Sequence, residues 1–499
     1  MKKNKVFAVS IGLTLLLLLL TVKTVKPQNP SLPNQYKYGA IDKTGKYIIP
    51  PQFDNIQYFS EGLALVEVQG KTGYVDRTGK MVIPLFEGYA KSFSEGLAAA
   101  IKRGYKYGYI DKTGKYVIPP HFDEVASFHE GIAAVGTERR YGYINQQGSY
   151  VIPPRLSITT TFKDGLAIVG GTKYSIIDKT GKAVSQAFNY IDDPSEFRVT
   201  YTLEFKDGLM KVGMGGSHCR FGEIRDGKWG YIDRAGKLVI PLKLDNANDF
   251  YEGRAEMFYA TSSYEDATDP YEAEGCSREG KWGYIDKQGN NVIPGKFDEV
   301  RNFSEGMAAV RIGKRWGYIN LEGEMVVPPR FQESSNGQPS KFSEGLVSVV
   351  MPQTQKSGYI DKNGQFVIDP IFDEASDFKD GLAIVRINEK KGAIDKKGNY
   401  VVEPKFESLD IFSEGLAAAA IDKKLGYIDK TGQLIIKPQF DIVDRFKQGI
   451  AIVGMKKEMP DKKDCEGNEC NNQSQQKIAE PSHHFCSLNL HGFLGRLTD

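Results

Sequence analysis

The sequence predicts an all-β tandem array of about eleven copies of one small β-unit, and three observations carry that prediction. A motif of the form W-G-Y-I-D recurs at a near-constant interval, a D-x-x-G turn closes it each time, and short apolar runs flank both. The second motif residue falls at Gly39, Gly73, Gly108, Gly142, Ser175, Gly230, Gly283, Gly317, Gly358, Gly392 and Gly426, and seven of the ten intervals are 33 to 35 residues. Self-similarity at one fixed period is the signature of repeat architectures. The longer intervals follow Ser175, Gly230 and Gly317 and mark insertions.

Each position in the unit has a physical reading. The fourth motif residue is β-branched in every copy, from Ile41 and Val75 to Ile428. Stiff branched side chains suit a pleated, buried surface, so this residue marks the core face of a strand. The fifth is Asp or Asn (Asp42, Asn145), with Gly three positions later (Gly45, Gly148). A short polar side chain opening a turn, and a glycine closing it with positive φ, predict a type I turn with a G1 bulge. One or two prolines then end the following strand, since proline cannot donate to a ladder. The segment F-x-E-G-L-A-x-V supplies another strand. Each unit is therefore a three-stranded antiparallel meander, LAAV then WGYID then VIP, to which the F-D-E-V segment can add a short fourth strand. Two arrangements fit. An open superhelical stack lets each unit cover its neighbour and is preferred, because eleven units exceed the usual blade number of one ring. The alternative is one or two β-propeller-like rings.

The fullest copies, WGYIDRAGKLVIP from Trp229 and WGYIDKQGNNVIP from Trp282, resemble the bacterial WG-repeat family, named for the dipeptide that also begins at Trp316. The resemblance covers roughly residues 36 to 453. Eight copies depart from it at the Trp, with Tyr38, Tyr107, Tyr141, Tyr174, Thr72, Ser357, Lys391 or Leu425 in its place. It implies a β-repeat interaction module and brings no catalytic residues.

Outside the array, 36–456, three segments stand apart. Lys2, Lys3 and Lys5 precede an apolar run from Val6 to Val22, and the residues after it make a poor signal-peptidase site. Residues 1–26 are thus expected to be a membrane anchor or signal peptide that places the body outside the cytoplasm, on the periplasmic or cell-surface side, anchored or secreted. A Pro-rich linker, 27–35, follows. Residues 457–499 are polar, carry no repeat signature and are expected to be disordered.

Composition narrows the function. Sixty-five basic residues against 63 acidic ones exclude a dedicated nucleic-acid binder. Five cysteines cannot form a disulfide framework, and the tail set of Cys465, Cys470, Cys486, His483 and His484 lacks the patterned surroundings of a zinc site. No nucleophile elbow, P-loop or metalloprotease motif occurs, so neither catalytic residues nor a cofactor or metal is expected. The insertions 185–228 and 256–281 interrupt neighbouring units, and each holds one cysteine. Cys219 and Cys276 are predicted to pair as a disulfide across them.

Two repeated series invite functional readings. In one, Trp229, Tyr231, Trp282, Tyr284, Trp316 and Tyr318 form an aromatic row opposite the buried Ile, able to stack on sugar rings or grip a peptide; otherwise the row is buried between units. In the other, an acid such as Glu61, Glu95, Glu130 or Glu414 precedes the F-x-x-G glycine, with Gln448 breaking the series. The preferred reading there is a carboxylate accepting N–H groups in its turn. The chain is thus expected to be a non-enzymatic extracytoplasmic binding scaffold for protein or cell-wall glycan; the alternatives are a structural spacer, or a hydrolase with its site in the insertions. For the anchor reading, the expected outcome is an intact N-terminus and retention on membranes in high salt. A trimmed N-terminus, or release by salt, contradicts it.

Overall fold

The computed structural model describes residues 35–457 apart from 103, 192–202, 219–223, 226, 262–278 and 336. The expected anchor, most of the linker, nearly all of the tail and every cysteine, Cys219 and Cys276 included, lie outside the described residues. Among the described residues there is no helix, and none therefore long and apolar enough to cross a membrane.

The strands form small antiparallel sheets on one plan, which we number I to XI in chain order. Sheet VIII shows it whole: Glu299–Val300, Met307–Ile312, Arg315–Asn320 and Met325–Phe331, hydrogen-bonded in that order. The F-D-E-V segment does supply a short first strand, in ten of the eleven sheets. In sheets II and III one long strand, Met81–Ala90, serves as the fourth of one and the first of the next. The other fourth strands lie on sheet edges, where pairs such as Pro119-Pro120 and Pro153-Pro154 remove the donors that would recruit another chain.

Every apolar core lies between two successive sheets. The cluster of Tyr284, Ile293, Phe297, Val300, Phe303, Ala308, Val310 and Ile319, for example, joins sheets VII and VIII. An open stack of eleven sheets would have ten such cores. Here there are eleven, the last joining Leu416, Tyr427, Ile436 and Phe440 of sheet XI to Ile41, Phe446, Ala451 and Val453 of sheet I. Sheet I itself is assembled from both ends of the array. Tyr36–Asp42 pairs with Ile450–Lys456 from Tyr36↔Lys456 to Asp42↔Ile450, with Tyr47–Phe53 and Ile442–Val443 outside them. The all-β tandem array is thus as the sequence predicts, and its ends meet as the ring alternative requires. An open stack leaves them apart.

The motif glycine is required by close approach. A Cβ on Gly317 would sit 2.3 Å from the Val327 carbonyl oxygen of the fourth strand. Sheet V is the one with Ser175 in this place. It keeps three strands, and residues 183–188 join it through the bridges Tyr174↔Phe188 and Ile177↔Ala183, the Val184 N–H donated to the Ile176 carbonyl and the Ile176 N–H donated to the Ser185 hydroxyl, without forming a continuous strand. The D-x-x-G turn is the expected one. Gly45, at φ 84, donates to the Asp42 carbonyl at 3.0 Å, while the Asp42 carboxylate accepts from the Thr44 and Lys46 N–H groups at 2.9 and 3.1 Å.

The repeated acids do more than the sequence suggests. Ser60 and Leu63 exchange both backbone hydrogen bonds around Glu61 (φ 52) and Gly62 (φ 87), a two-residue type I′ hairpin. A non-glycine residue held in the left-handed region costs about 1–3 kcal/mol. Glu, Asp or Gln nevertheless occupies this position in all eleven sheets, always at φ between 49 and 57. The side chain explains why. In eight sheets its carboxylate accepts the N–H of the equivalent glycine in the next sheet, as Glu61 does from Gly96 at 3.0 Å and Glu130 from Gly165 at 2.9 Å. Glu414 makes the same bond to Gly449 across the closure, at 2.9 Å. A lysine from the next sheet's D-K-x-G turn joins several of them, including Lys179 on Glu130 and Lys43 on Glu414. The acceptor role is as expected, but it serves the neighbouring unit's turn.

These bonds set a pH dependence. Burial alone would raise Glu130, Glu344 and Glu414, but the lysine and glycine N–H bonds outweigh it and hold all three below the usual carboxylate range. Asp42, Asp111 and Asp429 are lowered chiefly by the threonine hydroxyl each accepts. A folded pKa below the unfolded value gives stability that is complete above the unfolded pKa and lost as pH falls through the folded one. The melting temperature is therefore expected to hold steady around neutrality and to fall below about pH 4. A flat profile into strong acid contradicts the staples.

Candidate functional site: a polar cleft where one sheet lacks its first strand

The short first strand forms where Phe-Asp-Glu-Val lets the Asp side chain bind twice. Asp373 takes the Lys356 ammonium at 2.5 Å and the Asn388 N–H at 2.9 Å, and Asp298 takes Lys281 and the Gly313 N–H. Sheet IX has no such strand. It contains Val347–Val350, Ser357–Ile360 and Phe366–Phe372 alone. Between Phe331 and Phe342 its segment runs FQESSNGQPSKF, five residues longer than FDEVRNF from Phe297 to Phe303, with Gln332 in place of the Asp. Gln332 keeps one bridge, donating its N–H to Val350 at 3.1 Å, and the chain then loops away through a turn in which Gly337 donates to Ser334. The side-chain amides of Gln332 and Gln355 clamp that loop to the next turn.

A cleft of about 810 Å³ opens beside this interruption, a size suited to a small ligand or a short peptide. Equivalent residues of four successive sheets line it: Arg301 and Asn302, Ser340 and Lys341, Ser376 and Asp377, Asp410 and Ile411. Met307, Ala309, Ile384 and Leu409 give it apolar walls. Most of its charges are already engaged. Arg386 pairs with Glu374 at 2.8 Å, Asp410 is held by both arms of Arg445, and Arg301 meets Glu299 at 3.2 Å while lying 4.9 Å above the Trp316 ring. Lys341 and Asp377 differ. Among the described residues neither makes an ion pair or a side-chain hydrogen bond, and burial raises the Asp377 carboxyl, with the Lys341 charge opposing that rise. Arg301 also keeps a buried Nε without a partner. Chemically the cleft offers the Lys341 and Lys391 cations, the Asp377 anion and a set of Ser, Asn and Gln groups around an apolar floor. Among the described residues no group of three or more His, Cys, Asp or Glu is placed to hold a metal ion.

The aromatic row is not on this surface, and the structure corrects that reading. Tyr231, Tyr284 and Tyr318 are buried, and each hydroxyl donates to a backbone carbonyl of the next sheet: Asn248, Arg301 at 2.8 Å and Ser340 at 2.9 Å. Each ring packs on the next sheet's phenylalanine, Phe250, Phe303 or Phe342, at 4.8 to 5.2 Å. Both faces of the strand are covered by neighbours, so the side opposite the buried Ile is no freer than the Ile side. Trp316 is 1% exposed and Trp229 8%, while Trp282 is half-buried against Phe258. The insertions that hold Cys219 and Cys276 leave from equivalent hairpins of adjacent sheets, after Met210–Met214 and after Arg254–Ala260; the cysteines themselves lie outside the described residues. The cleft was missed from sequence, although the 41-residue interval from Gly317 to Gly358 marked it. In chains keeping a single tryptophan, Trp316 is expected to resist acrylamide and Trp282 to be quenched in part. Quenching of Trp316 as freely as a peptide indole contradicts the packing role.

No curated protein matches the chain. Among solved structures, BamB from Moraxella catarrhalis aligns at 10% identity and a TM-score of 0.27, over 67% of this chain and 92% of that one. The extracellular domain of a hybrid two-component system from B. thetaiotaomicron aligns at 10% identity and 0.21, over 78% and 66%. A eukaryotic initiation factor reaches 0.33 at 10% identity, over 77% and 95%. The WG containing repeat matches ten stretches, 38–71, 73–106, 107–137, 141–170, 229–257, 282–316, 316–351, 358–390, 392–424 and 426–457, leaving out the unit with Ser175. Those stretches cover well over half of the sequence, and the chain belongs to the WG containing repeat family.

Proposed function

We propose that this chain is a non-enzymatic binding scaffold that holds a polar ligand, protein or cell-envelope glycan, in the cleft at sheet IX, on the outer side of a membrane. The observation that carries the reading is where the repeat stops being repetitive. Elsewhere, eight of the eleven recurrent acidic positions bond to the next sheet's turn. At the cleft, Lys341 and Asp377 stand without an ion pair beside the one sheet that, among the described residues, lacks its first strand. Function concentrates where a rigid scaffold is interrupted. The extracytoplasmic setting rests on Lys2, Lys3, Lys5 and the apolar run from Val6 to Val22. Binding to protein and glycan arrays is the test. Asp377→Lys is expected to weaken a detected ligand about tenfold or more by placing like charge beside Lys341. Removal of residues 262–278 is expected to leave binding unchanged. The opposite pattern would move the site to the insertion loops.

A further inference from the structure

The cleft has a backbone side as well as a charged one. In eight sheets the residue after the short first strand donates its N–H to the carbonyl of the third residue of the second strand. Gln57 does so to Leu65, Arg301 to Ala309 and Ser376 to Ile384, each at 2.9 Å. The equivalent carbonyl in sheet IX belongs to Ser348. Ser340, which by the Tyr318 bond it accepts stands in the donor's place, makes no such bond, and among the described residues no backbone N–H outside the strand pairs reaches Ser348. Ser348 pairs with Tyr359 on its other side in the register that Ala309 shares with Tyr318, so its own N–H and C=O point toward the missing strand. Position three is apolar in most sheets (Leu65, Ala99, Ile168, Ile384) and polar here. Among the described residues, one first-strand position out of eleven is thus unfilled, beside a cleft large enough for a short peptide.

Resting on the cleft as the ligand site, we infer that its ligand is an extended peptide segment of a partner protein, which adds to the outer edge of Val347–Val350 as the fourth strand of sheet IX. Main-chain bonds to Ser348 supply affinity, as in other strand-addition complexes. Lys341 and Asp377 supply selection, favouring a segment with an acidic side chain for one and a basic side chain for the other. The lining lacks an exposed aromatic ring, since Tyr318 is buried, so a sugar ring has no stacking platform here. A peptide needs none.

The experiment pans a displayed library of random decapeptides against the full chain and synthesises the most enriched sequence. That peptide is expected to lack proline at its centre, to carry both an acid and a base, and to slow amide hydrogen exchange at Ser348. Lys341→Glu and Asp377→Lys are each expected to weaken it about tenfold or more. A second variant keeps the test independent of charge: replacing residues 332–341 by the five residues 298–302 gives sheet IX its own first strand. It is expected to melt as the parent does and to lose the peptide. Undiminished binding to that variant, or protection confined to other sheets, overturns the inference. Glycans bound at the cleft with no peptide selected overturn it while leaving the cleft as the site. Failure of peptides and glycans alike removes both readings. A dimer of the chain that the peptide dissolves would assign the strand to a second copy and overturn the partner version.

Discussion

Each sheet has apolar residues on both faces and no core within itself, and the rest of the architecture depends on that constraint. Ala308, Val310 and Ile319 of sheet VIII pack toward sheet VII, while Met307, Ala309, Trp316 and Tyr318 pack toward sheet IX. Fully burying one large apolar side chain is worth roughly 1.5–3 kcal/mol, and each interface buries at least five apolar residues larger than alanine. An end sheet in an open row would forfeit one such face. Pairing the first strands with the last removes both ends at once, so the closing core of Ile41, Leu416 and Phe446 replaces two exposed faces.

Polar chemistry fixes the spacing that this packing needs. A buried tyrosine hydroxyl must find an acceptor, and in eight sheets it finds a carbonyl of the next sheet, as Tyr109 does at Ala126 and Tyr427 at Asp444. The carboxylate that precedes it in the chain, Glu95 before Tyr109 and Glu414 before Tyr427, accepts a neighbour's glycine N–H. The strain of holding Glu with positive φ is offset by that bond, which Gly at the same place has no side chain to make. In sheet V, which carries Ser175 in place of the glycine, residues 183–188 bond to the last strand only at scattered points, yet the sheet stays in the ring through Ile168, Ile176 and Phe188.

Much of the fold was legible because it is local. The D-x-x-G turn, the meander and the count of eleven follow from residues within one period. What was not legible depends on the neighbour. Period-two alternation correctly put Tyr284 opposite Ile285 but could not say that both sides are covered. The acids were read as turn acceptors, yet their acceptor bond lies about 35 residues on, as from Glu95 to Gly131. Closure pairs Tyr36 with Lys456 and leaves no trace in any short window. The cleft was visible as an overlong interval, but its unpaired Lys341 and Asp377 gain meaning only once the other charges are seen to be paired.

Closure of the array is the central claim, and one covalent probe reaches it directly. Lys37 and Met455 are opposed across the seam, where partner Cα atoms lie about 4.5–5.5 Å apart. In a chain whose five native cysteines are replaced by serine, the pair K37C and M455C is expected to form an intramolecular disulfide on mild oxidation. That bond is also expected to raise the melting temperature, since it closes a loop of over four hundred residues. Two free thiols in a fully folded chain would mean that the ends lie apart, and the ring would be wrong.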